Sequence, residues 1–139
     1  MTEVEFHTGV VDRIDFACRL LRKAARQGVR VQVTAAPDVL AALDRELWTF
    51  EERDFVPHVR MPGAPAGVAA RTPIWLTAVA FSGDGPGVLV NLGAPVPEHA
   101  QSLDRVIEIV SSEPDDAAAG RERWRQYKAL GLPPKHHHD

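Results

Sequence analysis

Three cations and one large aromatic side chain are spaced to share one face of the last predicted helix. Arg121, Trp124, Arg125 and Lys128 stand at i, i+3, i+4 and i+7, the spacing of neighbours on a helix surface. Cations bind carboxylates, and an indole offers apolar area and a surface for stacking. Such a face suits a short anionic partner that also carries an apolar group. The alternative is a solvated face with Trp124 turned partly inward, and spacing alone leaves both open.

A second group of aromatic residues follows the second predicted helix. Trp48, Phe50 and Phe55 lie within eight residues of one another, just before Pro57, in a segment without a clear helix or strand period. Large aromatic side chains in such a segment either anchor a core or form an exposed interaction patch. One or two of the three suit a core, and all three together favour a patch.

Catalytic motifs are missing from the sequence. No glycine-rich dinucleotide motif follows the first predicted strand, and there is no Walker phosphate loop. The glycines at 83, 85 and 87, with Pro86 between them, predict a hairpin turn instead. Cys18 lies on an apolar helix stripe, which favours a core position over a nucleophile. His7, His58 and His99 are too scattered for a metal site, so we predict no metal and no cofactor.

Composition is that of a soluble globular protein. The 139 residues suit one domain, with 45% hydrophobic and 25% charged residues. A net charge of −3 disfavours sequence-independent binding to duplex DNA, which needs a basic surface. One cysteine fits a reducing compartment, and no apolar run is long enough to span a membrane. We therefore expect a cytoplasmic protein without membrane contact.

Strand and helix patterns alternate in the first part of the chain. Residues 4–8 alternate as a strand, and Asp12 and Gly28 are placed to begin and end a helix. A valine-rich strand at 29–33 and a helix from Pro37 follow. This order predicts an α/β fold: a single domain with a mostly parallel twisted sheet flanked by helices, Rossmann-like but without a phosphate-binding loop.

The second half contains weaker signals. Residues 60–72 are rich in proline, glycine and alanine, which predicts a mobile loop without regular structure. We expect strands at 74–78 and 88–92, a short helical stretch at 97–103, a last and central strand at 106–110, and a final helix that ends before Gly131. The domain should occupy residues 1–132. Residues 133–139 should form a disordered histidine-rich tail or the remnant of a purification tag.

Three blocks of this sequence resemble the chi subunit of the bacterial DNA polymerase III clamp-loader complex. They are Leu-Trp at 47–48 with Phe-Val-Pro-His at 55–58, Val-Ile-Glu-Ile-Val at 106–110, and Arg-Glu-Arg-Trp-Arg-Gln-Tyr-Lys at 121–128 with Gly131 after it. The order and lengths of the predicted elements also agree over nearly the whole chain. The resemblance implies a non-enzymatic component of the polymerase III holoenzyme.

The resemblance also implies partners. Chi-like proteins bind the psi subunit, which ties them to the clamp loader. On a separate surface they bind the acidic C-terminal tail of single-stranded-DNA-binding protein, which ends in Pro-Phe. Some also bind a helicase through the psi-facing surface. DNA would then be contacted only indirectly.

The resemblance assigns the tail site to the last helix and the strand before it. Arg121 matches the family's key basic residue for the tail, whose carboxylate the guanidinium fork can bind with two hydrogen bonds. Trp124 stands where the family usually has tyrosine. Arg125 and Lys128 extend the cationic face, and Val110 would line the apolar pocket.

One position departs from the family pattern, and a second surface matches it. Ala117 occupies a place where relatives can carry lysine, so one charge contact is absent. Trp48 and Phe55 match residues that bind psi, with Val56 and Pro57 nearby.

Two other functions remain as alternatives. A small nucleotide-binding or hydrolytic enzyme of Rossmann-like shape would need the phosphate loop, and Gly9 is the only glycine directly after the first strand. A direct nucleic-acid-binding module would bind single strands tightly through Arg121 or Trp124. The net negative charge of the chain disfavours this second alternative.

Overall fold

One seven-stranded sheet organises the chain, and helices flank it, which confirms the predicted α/β fold. The structure is a computed structural model that describes residues 1–49, 55–83 and 85–138. Its elements, in chain order, are β1 (Glu3–Val10), α1 (Arg13–Arg26), β2 (Val31–Thr34), α2 (Pro37–Thr49), β3 (His58–Met61), α3 (Ala66–Arg71), β4 (Ile74–Thr77), β5 (Val88–Asn91), a 3-10 turn (Ala100–Ser102), β6 (Arg105–Ser111), α4 (Pro114–Ala129) and β7 (Lys135–His138).

The sheet is parallel at each of its six strand pairings. The strand order is β3-β4-β2-β5-β6-β1-β7. β6 lies between β5 and β1, which confirms the interior position that its apolar run predicted. β3 and β7 form the two ends of the sheet, so the two edges carry different parts of the sequence.

Helices cover both faces of the sheet. The side chains of its strands point alternately to the two faces, so each face carries apolar side chains that pack against helices. Leu21 of α1, Leu43 of α2 and Ile109 of β6 belong to the core on one face. Val110 of β6 and Tyr127 of α4 belong to the core on the other face. α4 is therefore placed across the sheet from α1 and α2, over strands β6 and β1.

The first helix begins and ends where the sequence predicted. The side chain of Asp12 accepts a hydrogen bond from the backbone N–H of Asp15, which satisfies one of the unpaired donors of the first turn. Gly28 follows the last turn with a φ of 72°, a left-handed conformation that glycine adopts without steric cost.

Residues 60–72 are not the unstructured loop that their composition predicted. β3 extends to Met61 and pairs with β4, and α3 occupies Ala66–Arg71 directly after Pro65. Alanine favours helices, and the indole of Trp75 donates a hydrogen bond to the carbonyl of Ala69 at 2.9 Å. Tertiary pairing here outweighs the local proline and glycine content.

The predictions for the end of the chain are also corrected. The strand at 106–110 is not the last one, because Lys135–His138 forms β7 and pairs in parallel with β1. A disordered tail was expected there. The strand forms because it provides hydrogen-bond partners for the backbone groups along the outer edge of β1. Thr8 and His136 also share a side-chain hydrogen bond of 2.6 Å between Oγ1 and Nε2. The helical stretch predicted at 97–103 is shorter, a single 3-10 turn at Ala100–Ser102.

Candidate peptide-binding groove

A groove of about 660 Å³ lies between α4 and the β6-β1-β7 edge of the sheet. Alternate residues of a strand point to the same face, which brings side chains of all three strands to the groove floor. α4 forms one wall. The lining residues are Phe6, Thr8, Gly9, Val110, Ser111, Ser112, Ala117, Gly120, Arg121, Trp124, Arg125, His136 and His138.

Aromatic and apolar side chains of the floor and of α4 meet in the groove. Trp124 is half-buried and meets Phe6 edge to face, with ring centroids 5.1 Å apart. Phe6 in turn packs edge-on against Tyr127, at 5.8 Å. Val110 is buried and lines the same groove. Trp124 thus joins the core on one side and lines the groove on the other, which combines the two alternatives that its helical spacing left open.

Small residues on α4 bring the helix close to the sheet. A Cβ atom at Gly120 would lie 2.9 Å from both methyl carbons of Val110, closer than real side-chain contacts allow. Only glycine fits this approach without a shift. Ala117, another small residue of α4, also lines the groove.

Two arginines supply the positive charge of the groove. Arg125 forms an ion pair with Glu122 at 3.1 Å, whereas Arg121 has no ion pair with any residue of the described segments. No aspartate or glutamate of residues 1–49, 55–83 and 85–138 lines the groove. Lys128 is exposed but does not line the groove. The groove therefore presents an unpaired guanidinium beside an apolar floor.

The contact between α4 and β6 contains a buried ion pair that the sequence analysis did not identify. Arg123 donates from Nε to a Glu108 carboxylate oxygen at 2.9 Å. The hydroxyl of Tyr127 and the amide of Asn91 donate to the other oxygen, at 2.7 and 2.8 Å. Burial raises the pKa of the Glu108 carboxyl, while Arg123 and the hydrogen bonds act in the opposite sense. The signal was present, since a glutamate inside an apolar strand needs a buried partner.

The second predicted surface is an exposed aromatic pair at the other end of the sheet. Trp48 and Phe55 are 60% and 55% exposed, with ring centroids 5.0 Å apart. His58 lies beneath them, edge-on to Trp48 at 5.2 Å. Val56 is buried behind the pair, and Pro57 is exposed. Residue 50, the third aromatic of this group, lies outside the described residues.

His58 is held in place by two hydrogen bonds. Its Nδ1 atom is 2.7 Å from the Val56 carbonyl oxygen, and its Nε2 atom is 2.7 Å from an Asp44 carboxylate oxygen. The imidazole is therefore fixed to both α2 and the segment before β3. This fixed ring supports the two exposed aromatic side chains from below.

The carboxyl ends of the strands, where open α/β sheets commonly bind ligands, contain a smaller cavity. Its volume is about 350 Å³, and its lining includes Thr34, Glu98 and His99 but no lysine or arginine of the segments that the structure describes. The described residues of its lining therefore offer no cationic side chain for phosphate.

Other chemistry has little support in the described residues. Burial raises the pKa of the Cys18 thiol to about 12, with further contributions from Glu46, Asp15 and Asp12, so the side chain is not an activated nucleophile. Residues 1–49, 55–83 and 85–138 contain no cluster of three histidine, cysteine or acidic residues suited to a metal ion. No helix in these segments is long and apolar enough to cross a membrane.

Comparisons with known proteins agree on one family. The family model described as DNA polymerase III chi subunit, HolC, matches residues 1–135. The chain is 32% identical to the DNA polymerase III subunit chi of Pseudomonas aeruginosa PAO1 over 142 aligned residues, which cover 99% of this chain and 96% of that protein.

A more distant likeness concerns the fold. The C-terminal domain of a Dbp5 variant from S. cerevisiae, solved with Gle1 and IP6, matches with a TM-score of 0.60 at 8% sequence identity. The match covers 98% of this chain and 90% of that chain. At this level of identity it shows a shared fold and carries no functional argument.

Proposed function

Because the chain belongs to the DNA polymerase III chi subunit family and is therefore an accessory subunit in DNA replication, we propose that it acts as a non-catalytic adaptor. Its groove between α4 and β7 binds the acidic C-terminal tail of single-stranded-DNA-binding protein. Its Trp48–Phe55 surface binds psi, which connects it to the clamp loader.

One observation supports the tail-binding proposal above the others. Arg121 stands at an apolar groove and, within the described segments of the chain, has no ion-pair partner and no carboxylate beside it in the groove lining. A guanidinium can bind a terminal carboxylate through two parallel hydrogen bonds. The neighbouring apolar surface of Phe6, Val110 and Trp124 suits the side chain of a terminal phenylalanine. One peptide end can therefore satisfy the charge and the apolar surface together.

The size of the groove is consistent with a weak, specific contact. Its volume of about 660 Å³ lies within the range of about 300–1,000 Å³ that small-ligand sites occupy. A contact of this size should have a dissociation constant in the micromolar range, or about −8 kcal/mol. The arginines should accelerate encounter and make binding sensitive to salt. A partner that presents several tails would gain avidity.

The two proposed surfaces belong to opposite ends of the sheet. Phe55 leads into the edge strand β3, whereas the groove reaches the edge strand β7. Six strand spacings of about 4.8 Å separate these edges by about 29 Å. A tail in the groove would therefore leave the aromatic pair free for a second protein, as bridging requires.

Calorimetric titration with an acidic peptide ending in Pro-Phe tests the tail site. We expect micromolar binding to the wild-type protein and at least a tenfold weaker affinity for Arg121→Ala. Arg71→Ala is the matched control. Arg71 is an exposed arginine at the end of α3, so the substitution removes the same charge away from the groove. Its affinity should equal that of the wild type. Equal weakening by both variants, or no binding at millimolar peptide, would contradict the proposal.

A further inference from the structure

The edge strand β7 contributes two histidines to the groove. His136 and His138 are two residues apart, so they share one face of the strand, and both line the groove opposite α4. His136 pairs in register with Phe6, and His138 with Thr8. The strand therefore extends the groove floor to the edge of the sheet, beyond the residues expected from the sequence.

His136 has a defined place in this part of the groove floor. Its Nε2 atom is 2.6 Å from the hydroxyl of Thr8, and its ring lies edge-on to Trp124 with centroids 6.0 Å apart. His138 is the next ring along the groove, 6.2 Å from His136. Both residues lie beyond residue 135, where the match to the family model ends.

Within the part of the chain that the structure describes, the ionisable side chains that line the groove are all basic. They are Arg121 and Arg125 from α4 and the two histidines from β7, while β1 and β6 contribute none. Glu122, the partner of Arg125, is not among the lining residues. Imidazole gains a positive charge between about pH 8 and 5, and an anionic ligand in the groove would favour the charged form.

We propose that His136 and His138 bind carboxylates of the acidic peptide that precede its terminal phenylalanine, and that they take up protons as they do so. This inference rests on the proposed function, since it concerns the same ligand and the same groove. Aspartate and glutamate side chains remain ionised above about pH 5. Binding should therefore strengthen as the pH falls from 8 to 6, because the histidines change charge and the peptide does not.

The same strand supplies a control residue. His137 faces the other side of the sheet, where its Nε2 atom is 3.3 Å from a Glu5 carboxylate oxygen and its ring stacks on His7 at 5.0 Å. Replacing His137 removes an imidazole from β7 without changing the groove.

Calorimetric titration of the full chain at pH 6.0 and pH 8.0 tests the proposal, with two buffers of different ionisation enthalpy at each pH. The wild type should bind the acidic peptide about three- to tenfold more tightly at pH 6.0, as two exposed charge contacts would give, with net proton uptake. His136→Gln/His138→Gln should lose the pH dependence and the proton uptake but keep its affinity at pH 8.0. His137→Gln should behave as the wild type.

The outcomes separate this inference from the function on which it rests. The inference alone would be overturned in two cases. In the first, binding depends on Arg121 but the double variant takes up as many protons as the wild type; in the second, His137→Gln loses the proton uptake. Absence of Arg121-dependent binding at both pH values would overturn the proposed function and the inference together. Retained affinity of the double variant at pH 8.0 also shows that it folds.

Discussion

The contact between Gly120 and Val110 gives a prediction whose sign depends on one other residue. Alanine normally stabilises a helix interior by about 1 kcal/mol relative to glycine. At Gly120 its methyl group would lie 2.9 Å from both Val110 methyl carbons, and such overpacking costs about 1–3 kcal/mol. The net effect of Gly120→Ala should therefore range from neutral to about 2 kcal/mol of destabilisation.

Removing the obstructing methyl groups should reverse that sign. Val110→Ala on its own should destabilise the protein by about 2 kcal/mol, because Val110 is buried. In the Val110→Ala background, Gly120→Ala no longer meets an obstacle and should stabilise by about 1 kcal/mol. The coupling energy between the two sites should then be about 1–3 kcal/mol, within the range of residues in contact.

Urea unfolding of the four proteins in this cycle measures the coupling. Gly67→Ala provides the matched control, because Gly67 lies in α3 and nothing would approach its Cβ within 4 Å. That substitution should stabilise by up to about 1 kcal/mol in both backgrounds. The reasoning is refuted if Gly120→Ala stabilises the wild type and the Val110→Ala variant equally.

Three further predictions concern the core and the aromatic surface. Arg123→Met should lower the free energy of unfolding by about 3–5 kcal/mol, since it leaves Glu108 buried without its ion pair; a loss below about 1 kcal/mol in urea unfolding would contradict this. Because the pKa of the Cys18 thiol is raised to about 12, it should react with iodoacetamide at pH 8 roughly a thousandfold more slowly than in the unfolded chain. Mass spectrometry would measure both rates, and similar rates would contradict the prediction by showing an accessible thiolate. Trp48→Ala should change stability by less than about 1 kcal/mol because the side chain is 60% exposed, yet abolish capture of purified psi; unchanged capture would remove Trp48 from that interface.

The helical period predicted the arrangement of α4 well. Arg121, Trp124 and Arg125 line one groove because residues three and four positions apart share a helix face. Lys128 has the same spacing but does not line the groove, since the period fixes a direction around the helix and not the length of the neighbouring groove. The parallel α/β sheet was also predictable, because its strands and helices alternate along the sequence.

The part of the groove floor that β7 forms could not be predicted in the same way. β7 has no alternation of apolar and polar residues, and its pairing with β1 is a long-range contact that local patterns do not encode. The pairing of Glu108 with Arg123 likewise depends on how α4 crosses β6. β3 and α3 were missed because local proline and glycine content was given more weight than pairing with β4.

The three tryptophan indole N–H groups offer the most direct test of the tail-binding site. Trp124 lines the groove, Trp48 belongs to the exposed aromatic pair, and Trp75 donates its indole hydrogen bond inside the protein. In a nitrogen-15 NMR titration with the acidic peptide ending in Pro-Phe, the account predicts that the Trp124 indole signal shifts while the other two remain unchanged. An unshifted Trp124 signal together with a shifted Trp48 signal would contradict the account, because the peptide would then bind at the other edge of the sheet.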